Sequence, residues 1–213
     1  MQKRIGVLSN LTQNIVWLKR DLRSQDHEPL LKAEQDKKPY LIIYLFEPSL
    51  IAHPDTSPRH LQFVYHSILS LNKTLAPFNR KVELFYGEAL DVFEYLATQF
   101  DVKKIFSTQE SGTQLTWNRD KKITSFCKQH SISWKEYQRD GIIRGITNRE
   151  KWNDRWAKTM HQKVIVNQLF QSPSSEGIAG NEILLRNRGF IQNEVIAYIS
   201  SSWSQFEYNE ASC

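Results

Sequence analysis

The strongest constraint on this chain is a rhythm. Between residues 14 and 137, five short apolar runs alternate with segments whose apolar residues recur every three or four positions. "NIVWL" (14–18) opens the series and "YLIIYLF" (40–46) follows it as a continuous apolar run, the pattern of a strand buried on both faces of a parallel sheet. "KVELFYG" (81–87), "KKIFST" (103–108) and "SISWKEY" (131–137) complete the set. The intervening segments read as helices. "DHEPLLKAEQ" has Asp26 as an N-cap and Pro29 in its first turn. Ser57 caps a helix that begins at Pro58 and carries Leu61, Val64, Ile68, Leu71 and Leu75 on one face. Leu90, Phe93, Leu96 and Phe100 stripe the next. Ser111 and Gln114 have capping-box spacing ahead of a helix through Leu115, Arg119, Ile123 and Phe126. This alternation predicts an α/β fold, a five-stranded doubly wound parallel sheet of Rossmann-like form with helices on both faces.

The rhythm stops after Tyr137. "QRDGIIRGI" reads as a loop, and Thr147 with Glu150 forms a second capping-box pattern ahead of a helix over 148–163. Trp152, Trp156 and Met160 fall at i+4 steps on that helix, either as a core seam or as a docking face for another domain. "QSPSSEG" (171–177) is a linker by composition. The expected organisation is an N-terminal extension (1–13), an α/β domain (14–140) and a helical or irregular connector (141–213).

Composition limits the chemistry. Lys and Arg total 28 against 23 Asp and Glu, a net charge of +5 that is compatible with an anionic partner without requiring one. Two cysteines, Cys127 and Cys213, are too few for a disulfide framework, and the six histidines are scattered, so no metal site is expected. No apolar run approaches the ~20 residues that span a bilayer, and the opening residues lack the apolar stretch of a secretory signal. A cytoplasmic protein with no membrane partner is expected.

In doubly wound sheets, ligands bind beyond the carboxyl ends of the strands where strand order reverses. That rule sets "KRDLRSQD" (19–26) opposite "STQESGT" (107–113). The first strand therefore leaves the core through Lys19, Arg20, Asp21 and Arg23. These charges form either an ion-pair knot that pins the loop or an arginine fork that reaches groups outside the sheet. No G-x-G-x-x-G or G-x-x-x-x-G-K-[ST] occurs, and the first strand–helix loop has no glycine, so a backbone cradle for a dinucleotide or nucleoside triphosphate is not expected there. C-x-x-C, H-E-x-x-H and G-x-S-x-G are also absent, and no catalytic residue is assigned.

"VWLKRDLRSQD", "IIYLFEPSLIAHPDTSPRHLQFV", "TQESGTQLTWNRD" and "GIIRGITNREKWNDRWAKTM" together resemble the N-terminal α/β domain of the DNA photolyase/cryptochrome family, in particular a bacterial cryptochrome-like branch. Asp21, Leu22, Arg23 and Asp26 fall where the family's Asp-Leu-Arg turn stands, and Ser57, Pro58 and Arg59 match its Ser-Pro-Arg. Leu18 and Lys19 replace the family's aromatic–arginine pair, Leu115 and Thr116 stand at the pterin-holding Asn-Glu pair, and Pro54, beside His53, replaces a histidine. The resemblance implies a light-harvesting antenna domain of a blue-light flavoprotein, with a chromophore of deazaflavin, flavin or folate type held near Lys19, Arg20, Phe46, Glu47, His53, Gln109 and Glu110. It also implies contact with a helical domain through Asp21, Arg23, Arg59, Trp152 and Trp156. That helical domain would carry FAD and meet damaged DNA, acting as a carbon–carbon lyase on pyrimidine dimers or as a light sensor. On this reading the present chain ends before it, is not catalytic alone, and carries residues 164–213 as connector packed on the other domain. A rival expectation is a free-standing nucleotide-binding or interaction protein of the same superfold.

Overall fold

The computed structural model describes residues 11–142 and 148–171. Five parallel strands form one sheet: β1 (Thr12–Leu18), β2 (Tyr40–Phe46), β3 (Val82–Tyr86), β4 (Asp101–Thr108) and β5 (Ser133–Tyr137). Their spatial order is β3-β2-β1-β4-β5, so the chain winds outward from β1 in one direction and then crosses to its other side. The switch point lies between β1 and β4. Among the described residues six α-helices accompany the strands: α1 (Glu28–Gln35), α2 (Pro48–Ile51), α3 (Pro58–Leu75), α4 (Ala89–Gln99), α5 (Gln114–Gln129) and α6 (Trp152–Met160).

Alternation along β1 builds two cores. Ile15 and Trp17 point to one face, where they join Ile43, Phe93, Leu96, Ile105, Ile123 and Phe126. Val16 and Leu18 point to the other, with Leu30, Ile42, Ile68, Leu71, Leu75 and Phe106. Thus α4 and α5 cover the first face, and α1 and α3 the second. Each such side chain contributes roughly 1.5–3 kcal/mol by leaving water, and Trp17 adds an edge-to-face contact with Phe93 at 5.1 Å.

Several local expectations change. The N-cap of α1 is His27 rather than Asp26: its Nδ1 accepts the Leu30 N–H at 3.1 Å, while Asp26 sits at φ 52 and turns the chain into the helix. At α5 the capping position is Thr113, one residue before Gln114, so Ser111 lies outside the box. Thr147 falls outside the described residues, as does "SPSSEG" (172–177), and α6 begins one residue after Lys151, at φ 57. The helix expected over 148–163 occupies Trp152–Met160. Its stripe is not a core seam: Trp152, Trp156 and Met160 are 37%, 40% and 49% exposed.

Residues 163–171 carry no helix or strand, yet they dock on this domain. Leu169 packs against the α1–α3 core, and the Phe170 carbonyl accepts a hydrogen bond from Arg80 at 3.3 Å.

Candidate functional site

The charged exit of β1 divides into inward and outward halves. Lys19 follows Leu18 off the end of the strand, and its ammonium lies 4.5 Å from the Trp17 ring centre and 5.1 Å from that of Trp134. It donates to Asp120 on α5 and to Glu136 on β5, both at 3.3 Å. A cation this deeply buried requires such compensation, and the two indole faces add to it. Asp21 turns inward as well. It accepts the backbone N–H of Lys19 at 2.9 Å on one oxygen and meets His27 Nε2 at 2.6 Å on the other. Because Nδ1 of His27 accepts from the α1 backbone, the ring proton lies on Nε2 and is donated to Asp21. Burial alone would raise the Asp21 carboxyl, but the hydrogen bonds from His27 and the Lys19 amide outweigh it and hold Asp21 below its usual range. The knot is therefore built with a histidine and a backbone amide rather than with the neighbouring arginines. Arg20 and Arg23 face outward: Arg20 pairs with Glu110 at 3.0 Å, and Arg23 pairs with Asp26 at 3.2 Å.

Beside this knot, Arg119 gathers three carboxylates. Its guanidinium donates to Glu47 at 2.7 Å, Glu110 at 2.6 Å and Asp120 at 2.9 Å, while its Cζ lies 4.8 Å from the Trp17 ring centre. The fork geometry of arginine is what permits one side chain to bridge the ends of β2, β4 and α5. The three carboxylates overcome the effect of burial and raise the Arg119 pKa further. The same surroundings push two glutamates apart. Burial dominates at Glu47 and raises its carboxyl despite Arg119. At Glu110 burial is outweighed by Arg119, Lys19 and Arg20, and the carboxyl falls below its ordinary value.

Above the network opens a cleft of about 940 Å³. Its walls are the exits of β1 and β2, the short helix α2 and the inward side of α3, with Leu50, Ile51, Leu61 and Val64 as apolar lining. Tyr44 and Phe46, in edge-to-face contact at 5.1 Å, also line it. The Tyr44 hydroxyl has no hydrogen-bond partner among the described residues, and burial followed by the nearby Glu47 and Glu110 charges raises its pKa. Besides Lys19 and Arg119, the basic groups of the lining are Arg20, Arg23, Arg139, His53 and His60.

The opening takes in residues of both loops expected to face each other, 19–26 and 107–113, and extends beyond them. Arg119, Glu110 and Asp120 fill the gap between the β1 and β4 exits, and the free space lies over β1 and β2 against α3. Lys19, Arg20, Phe46, Glu47, His53 and Glu110 line it. Gln109 does not; its N–H donates to the Tyr137 carbonyl at 2.7 Å and continues the β4–β5 ladder. Asp21 and Arg23 are also in the lining, Asp21 only 3% exposed. Arg59, in the first turn of α3, and Trp152 and Trp156, stacked at 6.3 Å, are exposed and outside the cleft.

Sequence reading passed over His27, Asp120, Glu136 and Asn167. His27 had a local signal, since a hydrogen-bonding side chain two residues before Pro29 can cap a helix. Arg119 carried one too: it interrupts an otherwise apolar stripe on α5, which marks a buried cation with partners. Among the described residues no cluster of His, Cys, Asp or Glu could hold a metal ion, and no helix is long and apolar enough to cross a membrane. Cys127 is buried, and burial pushes its thiol up to about 11.

Comparison with known proteins gives a consistent result. The family model for DNA photolyase matches residues 14–163. The deoxyribodipyrimidine photo-lyase of Buchnera aphidicola is 23% identical over 140 residues, covering 64% of this chain and 27% of that protein. A cryptochrome DASH from Synechocystis is 28% identical over 101 residues, 45% of this chain and 21% of that protein. The archaeal photolyase from Sulfolobus tokodaii, solved with two FAD molecules, superposes with a TM-score of 0.64 at 22% identity over 76% of this chain and 39% of that one. The chain thus spans well under half the length of each of these relatives. By its matched residues and its fold, it belongs to the DNA photolyase family and corresponds to the N-terminal α/β domain of photolyases and cryptochromes.

Proposed function

We propose that the cleft over β1 and β2 holds a light-harvesting chromophore, a planar heteroaromatic ring system of deazaflavin, flavin or folate type. The observation that carries this reading is the cleft itself. Its volume of about 940 Å³ lies within the range of small-molecule sites, and apolar walls combine with a few convergent polar groups. Lys19, Trp17 and Arg119 form a rigid floor held by ion pairs, which keeps a bound ring from sharing its site with mobile charge. Tyr44 offers an unspent hydroxyl to a ring carbonyl, and Glu47 and Glu110 offer carboxylate oxygens to ring N–H groups. Arg20, Arg23 and Arg139 suit an anionic side chain or phosphate. Once bound, such a group supplies absorption of near-ultraviolet or blue light and passes the excitation on.

The recipient in this reading is FAD on a helical domain, with which Arg23, Arg59, Trp152 and Trp156 make contact. Asp21 supports that contact from within by fixing the Arg23 loop. The assembled protein would split pyrimidine dimers or signal in response to light, and the α/β chain alone would do neither. A thermal-shift panel on the 213-residue chain tests the cleft. Stabilisation by a deazaflavin, flavin or folate, with none by adenine nucleotides, is expected. Stabilisation by adenine nucleotides alone would favour a nucleotide-binding protein of the same superfold.

A further inference from the structure

We propose that residues 165–170 are a strap that sets the conformation of the cleft wall. Two carboxamides make the attachment. The Asn167 side chain accepts the His27 N–H on Oδ1 and donates from Nδ2 to the His27 carbonyl, both at 2.9 Å. The Gln25 side chain returns the arrangement, accepting the Asn167 N–H at 3.0 Å and donating to the Asn167 carbonyl at 3.1 Å. Each carboxamide thus closes a ring with the other residue's peptide groups and satisfies both of them. Asp26 adds a third pair with Ile165: its N–H donates to the Ile165 carbonyl at 2.9 Å, and its carboxylate accepts the Ile165 N–H at 3.1 Å.

These three residues, Gln25, Asp26 and His27, are the end of the loop that forms one wall of the cleft. His27 is bonded to Asp21, and Asp21 holds the Lys19 amide through its side chain and the Arg23 amide through its carbonyl at 2.8 Å. Asp26, held at φ 52, pairs with Arg23 on the cleft side. An unbroken set of hydrogen bonds therefore runs from Asn167 through His27 and Asp21 to Lys19 and Arg23. Asn167 is 6% exposed, so its four hydrogen bonds have no water to replace them. When the strap is docked the wall has one arrangement; when it lifts, the His27 N–H loses its partner and the His27 carbonyl keeps only the Leu31 N–H at 3.2 Å, which loosens the residue whose ring holds Asp21. By linkage, a ligand that needs the ordered wall favours the docked strap by the same factor. The consequence for binding rests on the chromophore reading of the cleft, whereas the coupling of strap to wall does not.

The test is hydrogen exchange on the full chain for the wild type, Asn167→Ala and Asn167→Asp, with equilibrium binding of riboflavin 5′-phosphate alongside. The reporters are the Lys19 and Arg23 amides, which hydrogen-bond to Asp21 and not to the strap. Both variants should speed exchange at these amides at least tenfold while β2 stays protected, and Asn167→Asp, which replaces the Nδ2 donor by an oxygen facing the His27 carbonyl, should match or exceed Asn167→Ala. Fast exchange at 165–167 with wild-type protection at Lys19 and Arg23 would overturn the proposal. Should either variant unfold β2 as well, Gln25→Ala decides, since Gln25 is exposed: loosening of the strap must again carry Lys19 and Arg23 with it, and independence refutes the coupling. Where riboflavin 5′-phosphate binds, its affinity should fall at least threefold in Asn167→Ala. Failure of the flavin to bind any form counts against the chromophore reading alone, and the exchange pattern decides the strap.

Discussion

Replacing Lys19 by methionine should destabilise the domain far more than an exposed lysine would. The side chain is 2% exposed and holds Asp120 and Glu136, themselves 8% and 26% exposed. Methionine keeps the stem and its packing against Trp17 and Trp134 but removes the charge. Asp120 retains Arg119 at 2.9 Å, and Glu136 is near enough to the surface to hydrate. The loss should therefore fall at the lower end of the ~3–5 kcal/mol typical of breaking a buried pair. A change of about 3 kcal/mol in a domain of this size lowers Tm by roughly 6–12 °C. Calorimetric or circular-dichroism melting measures it, and repetition in 1 M NaCl separates buried from exposed electrostatics, because a buried pair is screened little. A variant that melts within about 2 °C of the wild type, or whose deficit vanishes in high salt, would refute the reasoning.

Three further outcomes are expected. Arg23→Ala removes an ion pair whose members are 44% and 42% exposed, so melting should change by less than ~0.5 kcal/mol; in a protein that carries the helical domain, flavin retention should weaken. Glu110→Gln should cost about 2–3 kcal/mol at neutral pH, whereas Glu47→Gln should be near neutral or stabilising. The signs follow from the shifts. The folded-state pKa of Glu110 lies below its ordinary 4.5, so its stabilisation is present above 4.5 and is lost as pH falls through the folded value. That of Glu47 lies above 4.5, so its ionised form is a burden that develops as pH rises through the folded value. Urea melts from pH 7 down to pH 3 should show the gap between the two variants closing. Finally, a Cβ on Gly141 would lie 2.1 Å from Cδ1 of Trp156. Gly141→Ala should displace α6 and shift tryptophan emission while leaving the main melting transition in place.

The parts of the structure legible from sequence are those governed by local periodicity. Buried parallel strands announce themselves as continuous apolar runs, and α3 as a stripe at three- and four-residue steps, because burial on two faces or one dictates those patterns. The fate of Lys19 could not be read that way. A lysine at the end of a strand is ordinarily solvated, and its partners Asp120 and Glu136 lie 101 and 117 positions away. Asn167 meets His27 across 140 positions, in a stretch with no periodicity to mark it as part of the fold. The Trp152–Trp156–Met160 stripe left two readings open, because spacing alone does not say what covers it; the exposure of all three side chains removes the core seam. The cleft takes in the two facing loops but also reaches over β2 to α3, and strand order alone does not show that reach.

Whether the cleft takes a chromophore is decided by isothermal titration of the 213-residue chain with a deazaflavin and with riboflavin 5′-phosphate. Val64→Trp, which fills the cleft from α3, serves as the blocked control. Saturable binding of one equivalent by the wild type is expected, abolished in the blocked variant and weakened in Tyr44→Phe. Binding that survives Val64→Trp, or no binding of either ring system or of a folate by the wild type, would contradict the chromophore reading.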